Sequence, residues 1–275
     1  MPSPTPHAGI KPHLDHLYLY YNARSWVHPD PLEFLYHYPD LKDREIVGLI
    51  ASSLAYGRVD QILKTVSGVL DVLGPSPYTF LRRSTPGTLT SRFNGFKYRF
   101  TTGRELVLLL IGIRQVIDTH GSLQACFLEG FNTRDDTTLS GLCYLTDVLR
   151  APFGNAPNSL IPDPRRGSAC KRLNLFMRWM VRTDGVDPGG WDHISPSKLI
   201  IPLDTHMHRV SRVLALTRRQ TAGMRTAKEV TQAFRRLSPE DPVQYDFALT
   251  RLGIRKDEEM CGFLDRCRGK REKNT

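Results

Sequence analysis

Residues 201–214 read IPLDTHMHRVSRVL: an apolar run closes at Leu203, an acid, a threonine and two histidines follow, and a basic stretch with helical spacing begins. Three chemistries are open to such a cluster. His206 and His208 stand two apart, the spacing of a metal pair at the end of a strand, where alternate residues share a face. The flanking pattern is helical, however, and on a helix residues two apart point roughly 200° apart, so no shared metal ion is expected. Asp204 occupies the position before the helix, where a carboxylate accepts the first helical N–H groups. A helix N-terminus also favours an anion and fixes its direction. The same carboxylate is therefore suited to taking a proton or to stabilising a developing cation.

A candidate partner lies upstream. RRGSACKRLNLFMRWMVR at 165–182 puts Lys171 at the start of an amphipathic helix, just after a Gly167–Ser168 turn. An amine there opposes the helix dipole, which favours its neutral form, the form a nucleophile requires. The competing reading is a solvated lysine on a basic loop. Arg165, Arg166, Arg172 and Arg182 surround it with groups suited to phosphate, and the Gly-Ser turn offers backbone N–H groups. Trp179, on the same helix, and Trp191 are candidates either for stacking on a base or for the core.

The elements that must position these groups are helical. Apolar residues recur at helical spacing in 43–56, 59–73 (stopped by GPSP at 74–77), 103–119 and 171–182, and further helices are expected at 205–216, 226–237 and 242–253. Alternation is scarce; FKYRF at 96–100 is the nearest to a strand. No heptad or fixed repeat is present. The Pro/Gly-rich stretch 151–167 reads as a long loop, either a hinge or a surface loop beside a site. The expected class is all-α: a polar, flexible leader at 1–12, one domain over 13–265 and a basic tail at 266–275.

Composition narrows the partners. The 275 residues carry 38 Lys and Arg against 28 Asp and Glu, a net charge of +10, which suits a polyanion, nucleic acid above all. The longest apolar run, ELVLLLIGI at 105–113, is too short to cross a bilayer. The first residues lack the apolar segment of a secretion signal, so a cytoplasmic, nucleoid-associated protein is expected, with no membrane contact. The five cysteines are scattered and read as reduced thiols. Cys261 and Cys267 fall short of the four thiolates an iron–sulfur cluster needs, and no cofactor is expected.

The segment around Asp204 resembles the catalytic-aspartate segment of the helix-hairpin-helix DNA glycosylases, the endonuclease III superfamily. The match runs through Asp204, Thr205, His206, Arg209, Val210 and Arg212. IVGLIASSLAYGRVDQILKTVSGVL at 46–70 resembles that superfamily's N-terminal helix pair, whose connecting loop approaches DNA. SACKRLNLFMRWMVR and PLDTHMHRV also resemble an uncharacterised bacterial family associated with it. Together the resemblance covers most of 40–255. There are departures: Gly167 holds the hairpin's first glycine position, but Ala169 replaces the second glycine and Arg166 the proline. Lys171 and Asp204 lie 33 residues apart (204 − 171), longer than the superfamily norm and similar to the archaeal 8-oxoguanine glycosylase branch.

The resemblance implies two helical subdomains with a cleft between them. It implies a base-excision glycosylase with AP lyase activity, acting as a monomer on double-stranded DNA with a damaged base or abasic site. Lys171 would be the Schiff-base nucleophile, and Asp204 would stabilise the sugar cation. Tyr56, Arg58 and Gln61 would fill the space left by the flipped base, with Arg165, Arg166, Ser168, Arg172, His206 and Arg209 on the DNA and Trp179 or Trp191 against the base. 8-Oxoguanine is the first candidate lesion. The alternative is a DNA-binding protein of the same fold without catalysis.

Overall fold

The computed structural model describes residues 8–156, 158–254, 262, 263 and 267, and within them the chain is mostly helical. The helices run α1 Lys11–Tyr21, α2 Leu41–Ser53, α3 Val59–Leu73, α4 Pro77–Arg83, α5 Pro86–Arg92, α6 Gly103–His120, α7 Leu123–Gly130, α8 Leu139–Arg150, α9 Lys171–Val181, α10 Thr205–Val213, α11 Met224–Arg235 and α12 Asp246–Ile254. Between α5 and α6 lies a two-stranded antiparallel hairpin, β1 Lys97–Tyr98 and β2 Thr101–Thr102. The FKYRF segment is thus its first strand and turn.

Local chemistry explains where helices begin and end. Asp40 caps α2 through the N–H groups of Lys42 and Asp43. Thr102 and Glu105 cap α6 reciprocally, and Gly121 ends it in the left-handed conformation that glycine adopts at no steric cost. α12 starts four residues later than its periodicity suggests, because Pro242 and the turn held by Asp241 occupy the intervening chain. α1, α4, α5, α7 and α8 are not apparent from periodicity: α4, α5 and α7 span only seven or eight residues each, and α1 carries exposed Leu19 and Tyr20 outside its buried stripe of Leu14, Leu17 and Tyr21. Since α1 starts at Lys11 and Ile10 is buried, residues 8–12 belong to the fold and not to a leader. Residues 1–7 and Cys261 lie outside the described residues, as does the tail beyond Cys267; Cys267 itself is half-buried against the core.

α2 is the central strut. Ten of its thirteen residues are buried, and it packs on α9, α3, α4 and α7. α6 forms a second axis, with α4, α5, α7 and α8 around it. α1 lies against α12, where the Tyr245 hydroxyl donates to Asp15, and α12 also packs on α10. Among the described residues no single helix is long and apolar enough to cross a membrane.

Glu45 joins two other parts of the fold to α2. Its buried carboxylate accepts the N–H groups of Leu123 and Gln124 at the start of α7 and the indole N–H of Trp191. Burial pushes this carboxyl up to about 7, while the three donors pull it down.

Candidate functional site

Lys171 owes its place to a tightly restrained loop. A short 3-10 turn, Pro164–Arg166, runs into Gly167 at φ +81°, and Cys170, buried, holds the left-handed conformation at φ +48°. The Ser168 hydroxyl accepts the Cys170 N–H, the Asn174 amide donates to Ala169 O, and Met224 N–H donates to Gly167 O at the start of α11. Lys171 is therefore the first residue of α9, with its ammonium directed across the helix start.

Asp204 is delivered by the buried segment Ile200–Leu203, which threads the core and is pinned by the Thr231 hydroxyl to the Ile201 N–H. One Asp204 oxygen accepts the Met207 N–H at 2.7 Å and caps α10. The other lies 3.1 Å from Lys171 Nζ. One oxygen takes the capping hydrogen bond and the other the ion pair, so the cap fixes the direction in which the second oxygen faces the amine.

The pair opens into a pocket of about 320 Å³. Ala55, Val59 and Ile62 form one wall, Leu175 and Phe247 another, and Pro29–Pro31 the rim. On its floor the buried Arg178 and Asp246 make an ion pair at 2.5 Å. Burial pushes Asp246 up to about 6 against the pull of Arg178. Behind them Arg178 also meets Asp187 at 3.1 Å, and Arg182 binds Asp187, Asp184 and Asp241. Sequence reasoning missed Arg178 and Asp246. A signal existed for Arg178: it follows Lys171 by seven residues, two helical turns along the same face, which also carries Asn174 and Arg182. Asp246 carried none.

The two histidines part company. His206 Nε2 meets Leu249 O at 3.2 Å, and its ring lies so close to Gly253 that a Cβ there would come within 1.8 Å of it. His208 Nε2 meets Arg219 O at 3.0 Å. His206 lines the pocket; His208 lines a separate surface depression with Arg209 and Arg212.

Several expected roles are corrected. Trp179 and Trp191 are fully buried, so neither ring is available to a base. Trp191 sits edge-on to Phe176 with its N–H on Glu45, and Phe247 is the aromatic ring that lines the pocket. Arg172 turns inward and donates to Ser53 O and Ser159 O, so it is not free for phosphate; the C-terminal carbonyls of α2 attract the cation. Arg182 is locked in the buried network, and Arg165 is taken up by Asp147 and Asp163. Tyr56 is half-buried and tethered to Thr101 and Tyr98, which prevents it from moving into a base stack. Arg58 and Gln61 are exposed beside Asp60, and Arg166, Ser168 and Arg209 are exposed.

The arrangement suits proton transfer and attack by an amine in a partly apolar pocket. No curated protein and no solved structure matches the chain. The model of a family described as a protein of unknown function, DUF2400, matches residues 30–255, most of the chain. With α2 to α12, the capped Asp204 and Lys171 inside that span, the chain belongs to the DUF2400 family.

Proposed function

We propose that this protein is a DNA glycosylase with lyase activity, of the helix-hairpin-helix kind, in which two helical lobes meet at the Lys171–Asp204 pocket. The observation that carries the reading is the 3.1 Å approach of Lys171 Nζ to the N-capping Asp204 at a mostly apolar pocket. The net charge of +10 and the mostly helical scaffold support it. At about 320 Å³ the pocket sits at the lower end of the ~300–1,000 Å³ typical of ligand sites, a fit for one extruded nucleoside.

In this reading Asp204 takes a proton from the Lys171 ammonium, and the free amine attacks C1′ of the extruded nucleotide. The new N–C1′ bond forms as the glycosidic C1′–N bond breaks, its electron pair leaving with the base, which is then protonated. Asp204 stabilises the positive charge that develops on the sugar. The C1′–O4′ bond then breaks, with a proton passing to O4′, to give the Schiff base; loss of a C2′ proton forms the C2′=C3′ double bond as the C3′–O bond breaks, and the 3′-phosphate leaves to nick the strand. 8-Oxoguanine is the first lesion to test, since the long Lys-to-Asp interval resembles the branch that excises it.

Borohydride trapping on duplexes carrying 8-oxoguanine or an abasic site tests the proposal, with wild type and Lys171→Gln compared. A covalent adduct with wild type alone is expected. Adducts with both would move the nucleophile elsewhere. Binding without any adduct would favour the second reading, a non-catalytic DNA-binding protein, which the exposed cations near Arg58 favour independently of Lys171.

A further inference from the structure

On the side of α3 away from the Lys171 pocket lies a larger groove, of about 720 Å³. Gln61, Lys64, Thr65 and Gly68 present one face of α3 to it, while Val59 and Ile62 of the same helix line the Lys171 pocket. The opposite side is the continuous run from Arg92 to Arg99. Five cations line it, Arg58, Lys64, Arg92, Lys97 and Arg99, and no acid does. Asp60 pairs with Arg58 from outside. Among the described residues no salt bridge engages the other four.

The hairpin at the groove's end carries two further anomalies. Arg99, at the turn between β1 and β2, has φ +52°, a left-handed conformation unfavourable for a residue with a Cβ, and its guanidinium lies over Gly57. Phe100, next to it, is 60% exposed, a large apolar ring held in water among cations. The ring is not loose: it stacks on Tyr56 at 4.8 Å and 15°, and Tyr56 is fixed by Thr101 and flanked by Arg172. The Tyr98 hydroxyl donates to Tyr56 O and ties the hairpin to the same loop. A braced ring with an open side beside an unneutralised cationic groove is the combination that binds nucleic acid away from a perfect duplex: cations track phosphates, and an aromatic face accepts an unpaired base.

The geometry points to a nucleic-acid surface in which Lys64, Arg92, Lys97 and Arg99 hold the phosphodiester backbone and Phe100 stacks on an unpaired base. It rests on the reading of DNA as substrate and places the strand beside the pocket, with α3 as the shared wall. The surface is separate from the amine chemistry.

Fluorescence anisotropy across a salt series tests it, with an undamaged duplex and the same duplex carrying one bulged base. The full-length proteins are wild type, Lys64→Glu/Lys97→Glu and Phe100→Ala; all three side chains are exposed, and thermal melting verifies folding. The double charge reversal is expected to weaken binding to both DNAs and to lower the slope of log K against log salt by about two. Phe100→Ala is expected to weaken binding to the bulged DNA by about five- to a hundredfold and to change the intact duplex by less than about twofold. Wild-type behaviour of either variant overturns the proposal, as does a wild type that binds neither DNA. Borohydride trapping separates the two readings. Lost binding in these variants without any wild-type adduct keeps the surface and removes the glycosylase. A wild-type adduct together with unchanged binding in the variants does the reverse.

Discussion

Lys171 Nζ and Asp204 Oδ2 stand 3.1 Å apart although 33 residues of chain separate them (204 − 171), and each belongs to the start of a different helix. The restraint is unequal. Asp204 is fixed by the cap it makes to Met207, while Lys171 reaches it with a partly exposed side chain. As a half-exposed ion pair it contributes at most about 1 kcal/mol to stability, so its value lies in positioning.

That inequality gives a first prediction. Lys171→Gln is expected to leave the melting temperature nearly unchanged and to abolish trapping. Asp204→Asn keeps a good N-cap but loses the charge, so it is expected to fold normally and to lower trapping by about 10²–10³-fold. Asp204→Ala adds a loss of about 1 kcal/mol from the helix. Calorimetry and trapping on one set of proteins separate charge from cap; equal trapping by the Asn and wild-type proteins would remove Asp204 from the chemistry.

The floor of the pocket is a structural liability if broken. Asp246→Ala would leave Arg178 buried with one acid fewer, at a cost of about 3–5 kcal/mol. Denaturant melts at fixed pH measure it, and a loss under about 1 kcal/mol would show that water reaches Arg178.

Glu45 supplies the pH dependence. Its folded value, about 7, lies above the ordinary 4.5. The stability this group contributes is therefore complete below about pH 4.5 and is lost as pH rises through about 7, by on the order of 3 kcal/mol. Glu45→Gln keeps the shape but opposes an amide NH₂ to N–H donors, at a cost of about 1–3 kcal/mol. Unfolding free energies from pH 4 to pH 8 are expected to slope downward in wild type more steeply than in this variant; parallel curves would mean that Glu45 stays ionised throughout.

The contact between His206 and Gly253 gives a steric test. Gly253→Ala would drive a methyl into the imidazole and displace it from Leu249 O, at a cost of about 1–3 kcal/mol. His206→Ala in the same chain is expected to recover most of that loss, because it removes the group in the way. Additive costs in the double variant would place the strain in the backbone instead.

By itself the sequence determined the helices with strong local signals. α3 runs Val59–Leu73 as its periodicity indicates, α6 and α9 agree to within a residue or two, and Asp204 caps α10 where the apolar run ends. These follow from interactions within a few residues, which are written along the chain. The tertiary structure decided what the buried faces meet. It placed Trp179 and Trp191 in the core, turned Arg172 inward, brought Asp246 beneath Lys171 from the far end of the chain, and left Phe100 braced in water. A helical stripe shows that a face is buried but not against which partner, and the pairing of distant charges depends on how whole helices cross.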